Sequence, residues 1–191
     1  MSPDLSRTLN IAGLFAVSAV LAVAFWDQLV HGDMPCPLCL LQRAAFVAAA
    51  IGLALNVRFG PRPSHYGIVI LSSIAGAVVA GRQVLLHVVP GSGAYGEALF
   101  GLHFYTWAFV VFAVMVAGSG LMLLFDRQFE PPRPAGRPRL GTAALLLAGL
   151  LALGNGVSTV LECAGGLCPD DPTGYELLQG TTPAPPGPAA D

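Results

Sequence analysis

Five long stretches of the chain are almost wholly apolar, and short polar or glycine- and proline-rich segments separate them: residues 10–30, 40–57, 66–89, 102–125 and 140–161. As helices they would be about 27 to 36 Å long, enough to cross a hydrocarbon core of about 30 Å. Strand-like alternation is absent from them, which argues against a β-barrel, and no repeat recurs at a fixed period. The pattern predicts an all-α, polytopic membrane helical bundle. A four-helix core occupies 1–125, a Pro/Arg-rich linker 126–139 and a fifth transmembrane helix 140–161. A cysteine-containing segment then fills 162–179, and a Pro/Ala tail at 180–191 is expected to be disordered. Ala22-Val23-Ala24 looks like a signal-peptidase site, yet the apolar stretch continues past it, so the first span is read as an uncleaved anchor.

Composition supports this picture. Of 191 residues, 54% are hydrophobic and 10% charged, whereas a soluble domain carries about 25% charged residues. The mean hydropathy is +0.68. The net charge of −2 is uninformative, but its distribution is not, and all nine basic residues are arginine. Arg7, Arg58, Arg62, Arg127, Arg133, Arg137 and Arg139 fall in the N-terminus, the turn after the second span and the linker after the fourth. Segments 27–38, 90–101 and the C-terminal stretch contain none. The positive-inside rule therefore predicts a cytoplasmic N-terminus and, after five crossings, an exoplasmic C-terminus. No basic patch interleaved with aromatics suggests a nucleic-acid partner.

Candidate chemistry concentrates at the head of the second span, Pro35-Cys36-Pro37-Leu38-Cys39-Leu40-Leu41-Gln42-Arg43. Two thiols three positions apart can close a disulfide or hold a metal. With helix from Leu40 onward, Cys39 lies at a helix N-terminus, where the helix dipole favours a thiolate. Arg43 follows one turn later on the same face; an opposite charge near 4 Å is worth roughly 4 kcal/mol at an effective dielectric of 20. Redox chemistry, a structural disulfide and a four-cysteine zinc site are the competing readings. Short loops gain least from a structural staple, and an oxidising compartment works against four free thiolates, so no metal is expected.

The second pair, Cys163 and Cys168, falls after the fifth span, on the same predicted side as Cys36 and Cys39. Arg43 and Arg82 are the ionisable arginines within spans, which makes them candidates for contact with a ligand. Gln83 and His87 accompany Arg82 on the third span. Asn155, between Gly154 and Gly156, reads as a mark of close helix packing.

The Cys-Pro-Leu-Cys motif followed by Leu-Leu-Gln-Arg resembles the disulfide bond formation protein B (DsbB) family, over the first four spans, roughly 10–125. The resemblance implies a membrane enzyme that passes electrons from a periplasmic, thioredoxin-fold oxidase of the DsbA type to a quinone, ubiquinone or menaquinone, in the inner membrane. It implies that Cys36 and Cys39 form the quinone-coupled pair, with Cys39 facing the ring and Arg43 stabilising developing charge. Gln42, Arg82 and His87 complete the expected cofactor-binding set. One departure stands out. The family carries its second cysteine pair between the third and fourth spans, where 90–101 here has no cysteine. Cys163 and Cys168 are therefore expected to act as the shuttle pair, with a structural staple as the alternative. A quinone reductase of the vitamin K epoxide reductase type and a non-enzymatic bundle with structural disulfides are the other function classes.

Overall fold

A computed structural model describes residues 1–89, 98–130 and 139–179. Helix α1 (Pro3–Trp26) runs into a π turn (Asp27–His31); α2 (Pro37–Phe59) and α3 (Pro63–Leu86) follow. A two-strand hairpin, β1 (Ala98–Leu99) with β2 (Leu102–His103), precedes α4 (Phe104–Leu123). A 3-10 turn (Asp126–Phe129), α5 (Arg139–Cys163) and a short α6 (Glu176–Gln179) complete the described chain. Five of the helices are long and apolar enough to cross a membrane, as the hydropathy pattern predicts. The architecture is an all-α polytopic membrane bundle. The expected tail at 180–191, Arg133 and Arg137 of the linker, and most of the 90–101 loop lie outside the described residues.

Proline sets three of the helix starts. Pro3, Pro37 and Pro63 each occupy the first helical position, where a missing N–H costs nothing and φ is already helical. Consequently α2 begins three residues before the expected Leu40. Its N-cap is Cys36, whose sulfur accepts the Cys39 amide at 3.2 Å. Cys39 thus lies inside the first turn, close to the unpaired N–H groups.

Consecutive helices pack as neighbours, α1 on α2, α2 on α3 and α3 on α4, while α5 returns to lie against α1 and α2. Glycine permits the closest approaches. A Cβ on Gly52 would lie 2.6 Å from Val69 Cγ2 and 2.7 Å from the His65 carbonyl oxygen. Gly76 leaves room for the Phe112 ring, which stacks on Phe46 with centroids 4.0 Å apart.

The lipid-facing stripes invert the soluble pattern. On α5, Leu146, Leu150, Leu153, Val157 and Val160 are exposed, whereas Gly141, Ala144, Ala148, Asn155, Ser158 and Glu162 turn inward. Lipid is as apolar as leucine, so small and polar residues decide which face packs. At the end bearing the N-terminus, a buried polar network joins four segments. Ser6 donates to Gln128 Oε1 at 2.7 Å, Asn10 Nδ2 reaches the Tyr66 hydroxyl at 2.7 Å, and Asn56 Nδ2 reaches Asn10 Oδ1 at 2.9 Å. Gln128 is fully buried and donates to the Met122 carbonyl. The segment after α4, read from sequence as a Pro/Arg-rich linker, is therefore docked at its start.

Candidate active site

Cys36 and Cys39 form a disulfide with Cα atoms 5.0 Å apart. Cys36 is buried and Cys39 half-buried. From α3, the fully buried Gln83 places its amide nitrogen 3.3 Å from the Cys36 sulfur and 3.5 Å from the Cys39 sulfur. Gln42 fixes that orientation by donating from Nε2 to Gln83 Oε1 at 2.6 Å. The pair thus meets N–H donors from two sides, the first turn of α2 and the Gln83 amide, an arrangement suited to sulfur that carries negative charge.

Arg43, one turn beyond Cys39, is anchored on α1 and the π turn that follows it. Its Nη1 donates to Gln28 Oε1 at 2.5 Å and its Nη2 to the Ala24 carbonyl at 2.9 Å, and the guanidinium lies 5.7 Å from the centre of the Phe25 ring. These contacts hold it between α1 and α2 and use two of its five N–H donors. Gln28 carries the connection onward, donating from Nε2 to Ser158 Oγ at 2.9 Å and to the Tyr175 hydroxyl at 3.0 Å.

Cys39, Gln42 and Arg43 share the wall of a cavity of about 380 Å³, bounded elsewhere by α1 and α4 through residues such as Val20, Phe104, Tyr105 and Trp107. Asp27 and Asp33 also reach it. Its volume lies within the range of small-ligand sites, and largely apolar walls with a few polar side chains match such a site. A planar conjugated ring with two carbonyl oxygens fits these properties: apolar side chains for the ring, Gln42 and Arg43 to donate to an oxygen, and the Cys39 sulfur in the same wall.

Of the other expected cofactor residues, Arg82 is exposed on α3 and lies outside the cavity wall. His87 is half-buried; its Nδ1 meets the Gln83 carbonyl at 2.8 Å, and its ring lies 5.4 Å from that of Tyr105, a wall residue. Cys163 and Cys168 form the second disulfide, with Cα atoms 4.4 Å apart. Ala164 and Gly165 take left-handed φ values of 48° and 76° between them, and the Gly166 amide closes the turn on the Cys163 carbonyl at 2.8 Å. Cys163 is buried, Cys168 is half-buried and the adjoining Leu167 is 98% exposed. Sequence reasoning passed over Gln28, Ser158, Tyr175 and Glu162. The available signal was three polar residues at α5 positions 155, 158 and 162, a helical spacing within an apolar span.

Comparison with known proteins identifies the family. Residues 6–95 match the DsbB family, described as Disulfide bond formation protein DsbB. A protein of Xanthomonas axonopodis pv. citri named Disulfide bond formation protein B is 35% identical over 123 residues, 60% of this chain and 70% of that protein. The chain belongs to the disulfide bond formation protein B family. Proteins of the same name from Nitrosomonas eutropha and Marinobacter nauticus are 39% and 44% identical over 88 and 82 residues. These alignments cover 44% and 40% of this chain, and it spans about half of each relative's length, 54% and 49%. No solved structure matches. The family match ends at residue 95, so α4, α5 and the second cysteine pair lie beyond it.

Proposed function

We propose that the protein is a quinone-dependent, disulfide-generating oxidoreductase of the bacterial inner membrane, which reoxidises a periplasmic thioredoxin-fold oxidase of the DsbA type. The observation that carries the reading is the Cys36–Cys39 disulfide at a helix head, with Cys39 in the wall of a largely apolar cavity that Gln42 and Arg43 also line, along with Asp27 and Asp33. The N-terminus is cytoplasmic and both disulfides face the periplasm, in keeping with the arginine distribution.

The tail disulfide receives electrons first. A partner thiolate attacks Cys168, the more exposed of the two residues, and Cys163 leaves as a thiolate; the partner's second thiol then resolves the mixed disulfide, leaving the partner oxidised and the tail reduced. The tail dithiol in turn reduces Cys36–Cys39 by the same two exchanges. Cys39 then holds the electron-rich sulfur against the cavity, stabilised by the first-turn amides and the Gln83 amide. A bound quinone supplies a two-electron, two-proton sink. Arg43 and Gln42 would hold its oxygen and favour negative charge there, His87 would brace the wall through its ring contact with Tyr105, and the apolar walls would limit water. We assign the exposed Arg82 to the lipid boundary, where its guanidinium can reach the headgroups.

The test is thiol trapping in membranes. With a quinone pool present, reduced partner should be oxidised while both disulfides re-form; with the quinone removed, both pairs should accumulate as thiols. A Cys36–Cys39 pair that stays oxidised without quinone would exclude the mechanism.

A further inference from the structure

Glu162 is fully buried, and neither carboxylate oxygen has a hydrogen-bond partner among the described residues. It sits in the last turn of α5, where the helix dipole opposes negative charge, and Cys163 of the tail disulfide is the next residue. A carboxylate there is a poor structural choice, because burial without hydrogen bonds is costly and a neutral side chain would fill the same space. Its surroundings have a direction. Asn155, Ser158 and Glu162 form one inward polar stripe on α5. Ser158 accepts from Gln28, and Gln28 accepts from Arg43 at the wall of the cavity that Cys39 lines. Arg43 of α2 acts on Glu162 electrostatically, without a hydrogen bond between them. Asp27 after α1 and Tyr175 ahead of α6 share the Arg43 field, while Glu176 of α6 is exposed.

We infer that Glu162 is the proton acceptor and donor for thiol–disulfide exchange at Cys163–Cys168. The inference rests on the reading of that pair as redox-active. When the reduced tail attacks a disulfide, one tail thiol gives its proton to the Glu162 carboxylate and becomes the attacking thiolate. A sulfur–sulfur bond forms to the target, the target's own disulfide breaks, and the departing thiolate takes the proton back. The second tail thiol repeats the cycle as it displaces the first bond, so two electrons leave the tail and Glu162 ends as it began. The Arg43 charge stabilises the carboxylate between transfers.

The experiment uses the full chain with Cys36→Ser and Cys39→Ser, so that the tail pair reacts alone and no quinone is needed. Oxidation of the reduced tail by glutathione disulfide is followed by alkylation across a pH series, for Glu162, Glu162→Gln and Glu162→Asp. Glu162→Gln should slow the reaction at least about tenfold at neutral pH. The deficit should shrink as pH approaches the ordinary thiol value of about 8.5, where thiolate forms without a base. Glu162→Asp should restore part of the rate. Glutamine removes an unpaired buried charge, so the variant is expected to fold. A Glu162→Gln profile that superimposes on the parent's, or a loss of equal size at every pH and shared by Glu162→Asp, overturns the proposal. The shuttle reading fails separately: Cys163→Ser and Cys168→Ser, with Cys36 and Cys39 intact, would then oxidise the protein partner normally, whatever the Glu162 profile shows.

Discussion

Replacing Gln83 by leucine removes an amide whose nitrogen lies 3.3 and 3.5 Å from the two sulfurs of the Cys36–Cys39 pair, in a position shielded from solvent. An N–H donor stabilises an anionic thiolate more than a neutral disulfide sulfur, so its loss penalises the reduced pair. Hydrogen bonds to charged groups contribute about 1.5–3 kcal/mol, and these distances are long, which places the effect at the low end. For a two-electron couple about 1.4 kcal/mol is about 30 mV, so Gln83→Leu should make the pair harder to reduce by about that amount. The assay is equilibration in graded thiol–disulfide buffers with Cys163→Ser and Cys168→Ser in place, so that one pair titrates, read by alkylation and gel shift. Gln83→Leu also strands the Gln42 amide, which donates to Gln83 Oε1, at a stability cost of about 1–3 kcal/mol. Adding Gln42→Leu removes the stranded donor, so the double variant should regain stability while keeping the shifted potential. A shift under about 10 mV, less than about 0.5 kcal/mol on the same scale, refutes the reasoning. A shift that disappears in the double variant traces the effect to the fold instead.

Arg43→Ala should raise the apparent KM for quinone more than it lowers kcat, with Arg43→Lys retaining part of the function; unchanged quinone kinetics in both would reduce Arg43 to a link between α1 and α2. Gly76→Ala should cost about 1–3 kcal/mol by overpacking against the Phe112 ring, read as a lower thermal midpoint in detergent, and Phe112→Leu added to it should recover part of the loss. Cys163→Ser and Cys168→Ser should each stop oxidation of the protein partner while a small dithiol still delivers electrons to quinone through Cys36–Cys39; normal partner oxidation in both variants makes the tail pair a staple.

The spans were legible because lipid demands long, uninterrupted apolar helices, and no local propensity competes with that requirement. The head of α2 was placed three residues late because Pro37 was not taken as a first helical residue, although proline is favoured there. The local part of the site, Cys36, Cys39, Gln42 and Arg43, follows from spacing on one helix. The rest depends on which helix faces meet. Arg82 and Gln83 are neighbours in sequence, yet one is exposed and the other fully buried. Hydropathy drew attention to the charged residue; the packing of α3 on α2 brings the amide to the sulfurs instead. The buried network of Ser6, Asn10, Asn56, Tyr66 and Gln128 escaped for the same reason, since each residue alone resembles a polar residue near a span end.

The fifth helix needs a physical reason to dock where it does. Its exposed leucines and valines are as well solvated by lipid as by protein, so they cannot select a site on the four-helix core. The inward stripe can, because Ser158 finds the amide of Gln28 at 2.9 Å. Gln28 is suited to this task because an amide has both an acceptor and a donor end. Its oxygen accepts from Arg43, and its nitrogen serves Ser158 of α5 and Tyr175 beyond the second disulfide. One side chain therefore ties the helix that carries Cys163, the segment that follows Cys168 and the arginine of the Cys36–Cys39 cavity. A cysteine pair carried on a fifth helix, outside the stretch that matches the family, is thereby held in register with the core's own cysteine motif. Polar side chains on the inward face of α5, costly where that helix meets lipid, are what fix that register.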